Sequence, residues 1–181
     1  MLLLPHACPS GRRTAAQARR AGALRRLPPH SLPGATHILK ITAFIDGAAR
    51  GNPGPAGYGV YMTTDQGDII EIAGYLGRTT NNVAEYAGLL EALEVAHQEG
   101  AKEVEIVSDS ELLVKQMLGI YRVKHPNLVP MHQKAKSMLR HFARFSIRHT
   151  LRAGNKDADR LANLAVDRAD GRLVERKRVA R

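Results

Sequence analysis

The pattern of apolar and polar residues predicts strands and helices in a mixed order along residues 37–170. Runs rich in β-branched and aromatic residues predict strands at 37–46, 57–64, 69–76, 103–108 and 144–151. Apolar residues at helical spacing predict helices at 80–98, 109–118, 131–142 and 155–170. The resulting order is β-β-β-α-β-α-α-β-α, which is typical of a single α/β domain.

The links between the predicted elements indicate how the strands pair. Short turns join the first three strands, which predicts an antiparallel meander. The fourth strand follows a long helix, so we expect it to run parallel to the first strand. The prediction is an α/β fold with a mixed five-stranded sheet, in which three antiparallel strands are followed by parallel ones and helices flank the sheet.

Both ends of the chain are basic, whereas its body is neutral. The net charge is +10, but residues 1–37 contain six arginines and no acidic residue, and residues 171–181 contain five basic residues and one acidic residue. We interpret residues 1–37 as a disordered basic leader, with organelle targeting left open as an alternative. Residues 38–170 then form the folded domain, and residues 171–181 form a basic C-terminal tail.

Cysteine content and hydropathy bear on where the protein acts. Cys8 is the only cysteine, so no intramolecular disulfide can form, and we expect a reducing compartment, the cytoplasm. No apolar run approaches the length of a membrane span, so we expect no membrane partner. The sequence gives no indication of oligomerisation, and we expect a monomer.

Two acidic residues lie where predicted strands end. Asp46 closes the first strand and precedes a loop rich in glycine and proline, and Asp109 follows the fourth strand. If these strands are adjacent and parallel, both carboxylates reach the same edge of the sheet, where open α/β sheets place their ligands. Taken alone, Asp46 is equally consistent with a solvated turn residue.

Two further carboxylates lie on helix faces that also carry apolar residues. Glu85 precedes Leu89 and Leu93 by four and eight residues, so it lies on the buried stripe of its helix. Asp159 is placed in a similar way in the last helix. A buried carboxylate is costly unless it is paired or bound to a cation. Four carboxylates at one sheet edge would repel one another, and hard divalent cations such as Mg²⁺ relieve that repulsion.

Four motifs, in this order along the chain, carry a resemblance to a known family. They are FIDGAARGNPGPAGYG at 44–59, TTNNVAEYAGL at 79–89, IVSDS at 106–110 and NKDADRLAN at 155–163. With these motifs the chain resembles the type 1 ribonucleases H over residues 38–170. The resemblance is to a short form that lacks the basic protrusion of the longer members.

The resemblance implies a ribonuclease H-like fold and a nuclease activity. The family hydrolyses the RNA strand of RNA–DNA hybrids, leaving 3′-hydroxyl and 5′-phosphate ends, without a small-molecule cofactor. Asp46, Glu85, Asp109 and Asp159 match the family's ligands for two Mg²⁺ or Mn²⁺ ions, which serve phosphodiester hydrolysis. Two alternatives stay open: a catalytically silent nucleic-acid-binding module of this fold, and a nuclease of the same fold that acts on double-stranded RNA.

The resemblance also implies nucleic-acid contacts. Asn52, Asn81 and Asn82 match positions that contact the RNA strand and its 2′-hydroxyls, by which a protein distinguishes RNA from DNA. The residues that match a pocket for a phosphate of the DNA strand are Arg78, Thr80 and Asn127. From the residues alone, Asn81 or Asn82 also suits a helix cap, and Asn52 suits a turn.

The comparison with the longer family members leaves two points to assign: the residue that assists catalysis and the residues that contact the substrate. The family's mobile histidine, thought to assist proton transfer or product release, has His149 as its candidate here and Arg152 as an alternative. Without the basic protrusion, contact with the hybrid must come from other basic residues, and such contacts are sensitive to salt. The candidates are Lys115, Arg122, Lys124, Lys134 and Lys136, for each of which a solvated surface is the alternative.

Overall fold

One mixed sheet forms the centre of the computed structural model, which describes residues 38–168 and 174–179; the predicted leader at 1–37 lies outside the described residues. The strands within those ranges are β1 (Lys40–Ala49), β2 (Gly54–Thr64), β3 (Ile69–Thr79), β4 (Glu103–Ser108), β5 (Arg144–His149) and β6 (Val174–Val179). The helices are α1 (Asn81–Gln98), α2 (Glu111–Met117), α3 (Leu128–Met138) and α4 (Lys156–Asp167). Single 3-10 turns lie at Leu139–His141 and Arg152–Gly154.

The order of strands across the sheet is β5-β4-β1-β2-β3-β6. β1, β2 and β3 form the predicted antiparallel meander. β4 runs parallel to β1, and β5 runs parallel to β4. The predicted mixed sheet, with three antiparallel strands followed by parallel ones, is therefore confirmed.

The predicted number of strands, five, is wrong by one, because β6 lies in the stretch predicted to be a basic tail. β6 pairs antiparallel with β3. Arg176 binds Glu91 on α1, and Arg178 binds Asp68 and Glu99. The hydrophobic pattern did not predict this strand because it contains no apolar run. Its pairing is accompanied by ion pairs with acidic residues that are far away in the sequence.

β1 extends beyond its predicted end at Asp46. Its antiparallel pairing with β2 continues to Ala49, which lies opposite Ala56. Its parallel pairing with β4 stops earlier, at Ile45 opposite Ser108. Asp46 is therefore not the last residue of the strand. It is the first residue after the point at which β1 and β4 separate.

α3 begins before Pro130, whereas the sequence predicted a start after it. The helix runs from Leu128 to Met138. Proline is tolerated in the first turn of a helix because the N–H that it lacks would have no partner there. The predicted end at Phe142 is also too late, because the chain tightens into a 3-10 turn at Leu139–His141.

Helices cover both faces of the sheet. Successive strand residues point to opposite faces. Val60 and Met62 of β2 belong to the main core with α1, whereas Tyr61 between them packs with Ala73 and with Leu161 of α4. α1 and α4 therefore lie on opposite faces and approach the same edge of the sheet. No helix within the described ranges has the length and apolarity needed to cross a membrane.

Candidate active site

Three carboxylates meet at the point where β1 and β4 separate. The last pair of the parallel ladder is Ile45 and Ser108, and the next residues along the two strands are Asp46 and Asp109. Glu85 reaches the same point from the second turn of α1. One oxygen atom from each of the three carboxylates lies within 4.8 Å of the others. The structure thus brings three of the four predicted metal ligands together.

Gly47 allows α1 to approach β1 closely enough for this grouping. A Cβ atom added at Gly47 would lie 2.5 Å from the backbone nitrogen of Glu85 and 2.8 Å from the carbonyl carbon of Ala84. Both atoms belong to the helix backbone and cannot move aside without the helix. The glycine after Asp46 is therefore required by the close approach of strand and helix.

Asp46 and Glu85 are buried with few hydrogen-bond donors around them. Their exposed fractions are 6% and 5%. Asp46 Oδ1 accepts a hydrogen bond from the Gly47 N–H (2.9 Å), and Glu85 Oε1 accepts one from Asn81 Nδ2 (3.4 Å). Among the described residues, Glu85 Oε2 is buried with no hydrogen-bond partner within bonding distance. A buried carboxylate oxygen without a donor, beside two other carboxylates, is a ligand set that suits a hard divalent cation.

The pKa values of both buried carboxyls are raised. The pKa of Asp46 is about 7, chiefly because of burial and then because of the charges of Asp109 and Asp159, although the Arg152 guanidinium lowers it. Burial, followed by the charges of Asp46 and Asp109, raises the pKa of Glu85 well above its ordinary value. A cation bound among these groups would relieve their repulsion, so the residues present fit a divalent metal.

Asp159 lines the same cleft but lies outside the group of three. Its Oδ1 accepts a hydrogen bond from Arg152 Nη2, and its backbone oxygen accepts one from Asn163 Nδ2 (2.8 Å). The guanidinium of Arg152 therefore compensates the charge of the fourth predicted ligand. The cleft that these side chains share has a volume of about 390 Å³.

Asn155 belongs to the site, although the sequence analysis did not single it out. Its side chain is almost fully buried, and its Nδ2 donates to the backbone oxygen of Ile45 (2.8 Å) and to Asp109 Oδ1 (3.1 Å). The amide thereby links the start of α4 to β1 and to the carboxylate after β4. Asn155 opens the fourth motif, but no local pattern shows that an asparagine before a helix reaches across the sheet.

Two of the predicted RNA-strand contacts bond to each other beside the carboxylates. Asn52 Oδ1 accepts a hydrogen bond from the backbone N–H of Asn81 (3.2 Å), and Asn82 is exposed at the next position. Thr80 is the N-cap of α1, since its Oγ1 accepts from the Val83 N–H (3.4 Å). The alternative in which Asn81 or Asn82 caps the helix is therefore wrong.

The predicted phosphate pocket is assembled only in part. Arg78 Nη2 donates to the backbone oxygen of Pro53 (3.4 Å), next to Asn52 and close in sequence to Thr80. Asn127 is exposed before α3, and its side chain makes no capping hydrogen bond. In the described part of the chain, no hydrogen bond joins Asn127 to Arg78 or Thr80. Its place in that pocket stays a prediction.

His149 and Arg152 occupy different positions relative to the cleft. His149 is exposed at the end of β5, with its Nε2 3.1 Å from the backbone oxygen of Asp109. Arg152 lines the cleft and binds the Asp159 carboxylate. Both candidates contact a predicted metal ligand, but Arg152 binds the carboxylate of Asp159, whereas His149 contacts the backbone oxygen of Asp109.

Two of the basic residues considered for substrate contact have protein partners. Lys115 Nζ pairs with Glu111 (2.5 Å), and Lys136 Nζ donates to the backbone oxygen of Met117 (2.6 Å). The ammonium groups of both lysines are therefore already engaged by protein atoms of α2. Binding of a nucleic-acid phosphate by either lysine would have to compete with these contacts.

We predict that the metal-free protein loses stability as the pH rises through neutrality. A carboxyl whose pKa is raised on folding contributes stability that is fully present below its unfolded value of about 4. That contribution is lost as the pH rises through the folded value, which is about 7 for Asp46. In chelator, the melting temperature should therefore be several degrees lower at pH 8 than at pH 5.5.

Glu85→Gln is the matched variant for this measurement, because it removes one of the two carboxyls with a raised pKa. It should reduce the difference in melting temperature between pH 5.5 and pH 8. Mg²⁺ added at pH 8 should restore stability to the wild type more than to the variant. The same pH dependence in wild type and variant would contradict the prediction.

The chain matches known proteins over the region that contains all four carboxylates. A family model described as reverse transcriptase-like matches residues 44–165. The bifunctional protein Rv2228c of Mycobacterium tuberculosis is 45% identical over 133 residues, which are 72% of this chain and 36% of that protein. The chain thus spans about a third of the length of this curated relative.

Two solved structures are similar to the chain in both sequence and fold. The crystal structure of ribonuclease H1 from the archaeon Halobacterium salinarum is 42% identical with a TM-score of 0.69, and the match covers 72% of this chain and 99% of that chain. LC11-ribonuclease H1, solved in complex with an RNA/DNA hybrid, is 42% identical with a TM-score of 0.65, and the match covers 72% and 98%.

Proposed function

Because the chain belongs to the type 1 ribonuclease H family, we propose that it is a metal-dependent endonuclease that hydrolyses the RNA strand of RNA–DNA hybrids. The products would carry 3′-hydroxyl and 5′-phosphate ends. The observation that carries this proposal is the group formed by Asp46, Glu85 and Asp109, in which the buried Glu85 Oε2 has no hydrogen-bond partner among the described residues. The similarity to LC11-ribonuclease H1, which was solved with a hybrid, supports the choice of substrate.

We propose that the carboxylate cleft holds Mg²⁺ or Mn²⁺, with two ions present when substrate is bound. Asp46, Glu85, Asp109 and Asp159 would together hold two ions, since Asp159 lines the same cleft as the other three. When bound, such ions supply a nucleophile at neutral pH and stabilise charge on the leaving oxygen. An all-oxygen ligand set of carboxylates favours these metals over ions that prefer nitrogen or sulfur.

The chain's own residues prepare the cleft for a phosphodiester. Asn155 orients the Asp109 carboxylate and ties it to the backbone of β1 at Ile45. Arg152 places a positive charge beside Asp159 at the cleft. A cation there partly offsets the repulsion that the carboxylates would exert on an approaching phosphate.

We propose that Asn52, Asn81 and Asn82 recognise the RNA strand through its 2′-hydroxyls. The hydrogen bond between Asn52 and Asn81 joins the loop before β2 to the first turn of α1, beside Glu85. Amide groups held in this way offer both donors and acceptors to a hydroxyl. The residues that we propose for a DNA-strand phosphate are Arg78, Thr80 and Asn127.

We also propose that the protein acts as a monomer in a reducing compartment, the cytoplasm. The sequence contains a single cysteine, and the candidate site draws all of its carboxylates from one chain. Analytical ultracentrifugation of the active protein tests the first point. A sedimentation coefficient that corresponds to a dimer at the assay concentration would contradict it.

One assay tests the proposed activity. RNA–DNA hybrid, double-stranded RNA and double-stranded DNA, each labelled on one strand at a time, are incubated with Mg²⁺, Mn²⁺ or chelator. We expect cutting of the RNA strand of the hybrid alone, and only with metal. Binding of the hybrid without cutting would favour the silent module. Equal cutting of hybrid and double-stranded RNA would favour the second alternative.

We predict that Arg152→Ala lowers kcat by roughly tenfold or more, and that His149→Ala lowers it by less than about threefold. A hydrogen bond between a guanidinium and a carboxylate contributes about 1.5–3 kcal/mol, which corresponds to about ten- to a hundredfold in rate if it acts in the reaction. Steady-state cleavage of a labelled hybrid measures both variants.

Arg148→Ala is the control for the two substitutions. Arg148 lies beside His149 on β5 and binds Glu105 (2.8 Å), and it does not line the cleft. Its removal should leave kcat within about twofold of the wild type, since exposed ion pairs contribute little. A greater loss of kcat in His149→Ala than in Arg152→Ala would assign the assisting role to His149.

A further inference from the structure

Arg50 is a cation at the carboxylate cleft to which the proposed function assigns no role. It lies four residues after Asp46, in the turn between β1 and β2, and it lines the cleft. Among the described residues that line this cleft, the cationic ones are Arg50 and Arg152. Arg152 binds Asp159, whereas the hydrogen bonds of Arg50 go to other residues. The guanidinium of Arg50 therefore forms no ion pair with a predicted metal ligand within the described residues.

The Arg50 guanidinium is held in place from α4. Its Nη1 donates to Asn163 Oδ1 (3.1 Å), and its Nη2 donates to Asp167 Oδ1 (2.9 Å). Asn163 is itself oriented, since its Nδ2 donates to the backbone oxygen of Asp159 (2.8 Å). A continuous chain of hydrogen bonds thus connects the guanidinium to the helix turn that carries the fourth carboxylate.

The backbone of Arg50 is fixed as well. Its N–H donates to the backbone oxygen of Pro55 (2.8 Å). A Cβ atom added at Gly54 would lie 2.2 Å from the Arg50 oxygen, so the turn is closed tightly on itself. Both ends of the arginine are therefore positioned before a ligand binds, which reduces the entropy lost on binding.

The guanidinium keeps donors available for a ligand. Of its five N–H groups, two donate to Asn163 and Asp167, and the other three have no partner within the described part of the chain. The side chain is 52% exposed, so these donors are accessible from the cleft or the solvent beside it. A planar group with several donors and a fixed positive charge suits a phosphate, whose oxygens can accept two parallel hydrogen bonds.

An ordinary surface ion pair is the competing explanation, and Arg160 shows what such a pair looks like here. Arg160 is also 52% exposed and binds Glu71 of β3, but it does not line the cleft. Arg50 differs in having a neutral amide as one of its two partners and in facing the carboxylates across an open space. The two arginines therefore form a matched pair for experiment.

We propose that Arg50 binds a backbone phosphate of the strand that is cut, next to the phosphate that reacts. The inference rests on the proposed function, which places the reacting phosphate at Asp46, Glu85 and Asp109. Because Arg50 lines the same cleft but bonds to Asn163 and Asp167 and to none of these three, we assign it to a neighbouring phosphate and not to the reacting one. Fixing that neighbour would set the register of the strand over the carboxylates.

The test compares Arg50→Gln with Arg160→Gln and Asp167→Asn in the full chain. The rate of hybrid cleavage in Mg²⁺ is measured over NaCl concentrations from about 50 to 200 mM, and melting temperatures are recorded for every variant. Arg50→Gln should lower kcat/KM by about tenfold at low salt, mainly through KM. Its plot of log kcat/KM against log salt should be shallower by about 1, because one phosphate contact is lost.

The other variants separate binding from structural pairing. Asp167→Asn breaks the same ion pair from the other side, and it should keep the wild-type slope, as should Arg160→Gln. Arg50→Lys should keep the slope but lose part of the affinity, because an ammonium lacks the planar fork. An unchanged slope in Arg50→Gln, or an equal loss in Asp167→Asn, would overturn the inference alone. A wild type that does not act on hybrids would overturn the proposed function and this inference together.

Discussion

Asp46→Asn is expected to lower the rate of hybrid cleavage in saturating Mg²⁺ by about a thousandfold or more. The amide keeps the size of the side chain but removes its negative charge, and with it a ligand of the kind that hard cations prefer. A thousandfold corresponds to about 4 kcal/mol of transition-state stabilisation, within what a catalytic metal site supplies. Initial rates on a labelled hybrid measure the effect.

The same substitution should stabilise the metal-free protein. The pKa of Asp46 is raised to about 7, so at pH 8 the folded protein must hold an unfavourable charge. Each unit of pKa difference from the unfolded chain corresponds to about 1.4 kcal/mol. In chelator at pH 8, Asp46→Asn should therefore melt at a higher temperature than the wild type, and Mg²⁺ should stabilise it less.

Asp157→Asn is the control for Asp46→Asn. Asp157 is an exposed carboxylate two residues from Asp159, and its Oδ1 lies 3.9 Å from Arg160 Nη2. Its neutralisation should leave both the cleavage rate and the response to Mg²⁺ near those of the wild type. Wild-type cleavage by Asp46→Asn would remove Asp46 from the proposed set of metal ligands.

Local patterns were sufficient to predict the group of three carboxylates, because each of its members has a local signal. Asp46 and Asp109 follow apolar runs, and the order of strands and helices makes those runs parallel neighbours. Glu85 is conspicuous because burying a carboxylate on the apolar face of a helix is unfavourable unless the charge is paired or bound to a cation. The structure bears out this reasoning by placing the three side chains together.

Other features of the site depend on contacts between residues that are distant in sequence. Asn155 reaches a backbone oxygen 110 positions earlier, and Arg50 reaches Asp167, 117 positions later. No periodicity or motif spacing indicates which side chains such distances bring together. Asp159 differs, because its partner Arg152 is only seven positions away, and no pattern in the sequence indicated that this pair would form.

The sixth strand shows a similar limit at the level of the fold. A strand is recognised in a sequence by its apolar residues, whereas the centre of β6 consists of the basic residues Arg176, Lys177 and Arg178. Its pairing with β3 is accompanied by ion pairs to acidic residues of α1 and of the turn before β3. The same residues viewed without those partners are indistinguishable from a basic tail.

Gly59→Ala is expected to lower the free energy of unfolding by about 3 kcal/mol and to lower cleavage by about a hundredfold. Gly59 of β2 lies opposite Asp46, and residues 158–162 of α4 pack directly on it. An added Cβ would lie 2.2 Å from the Ala158 oxygen and 2.4 Å from the Ala162 nitrogen. Both are backbone atoms of α4, so the helix itself must move, with the cost of an overpacked core.

A shift of α4 would displace two carboxylates of the site. α4 carries Asp159, and Asn155, the residue just before α4, donates a hydrogen bond to Asp109. Gly88→Ala is the matched control: Gly88 is also buried, but the nearest atoms to an added Cβ are 3.5 Å away, in ordinary contact. Since alanine is favoured over glycine within a helix by about 1 kcal/mol, Gly88→Ala should melt at or above the wild-type temperature. If Gly59→Ala matched Gly88→Ala in melting temperature and cleavage rate, the close packing of α4 on β2 would not be what positions Asp109 and Asp159.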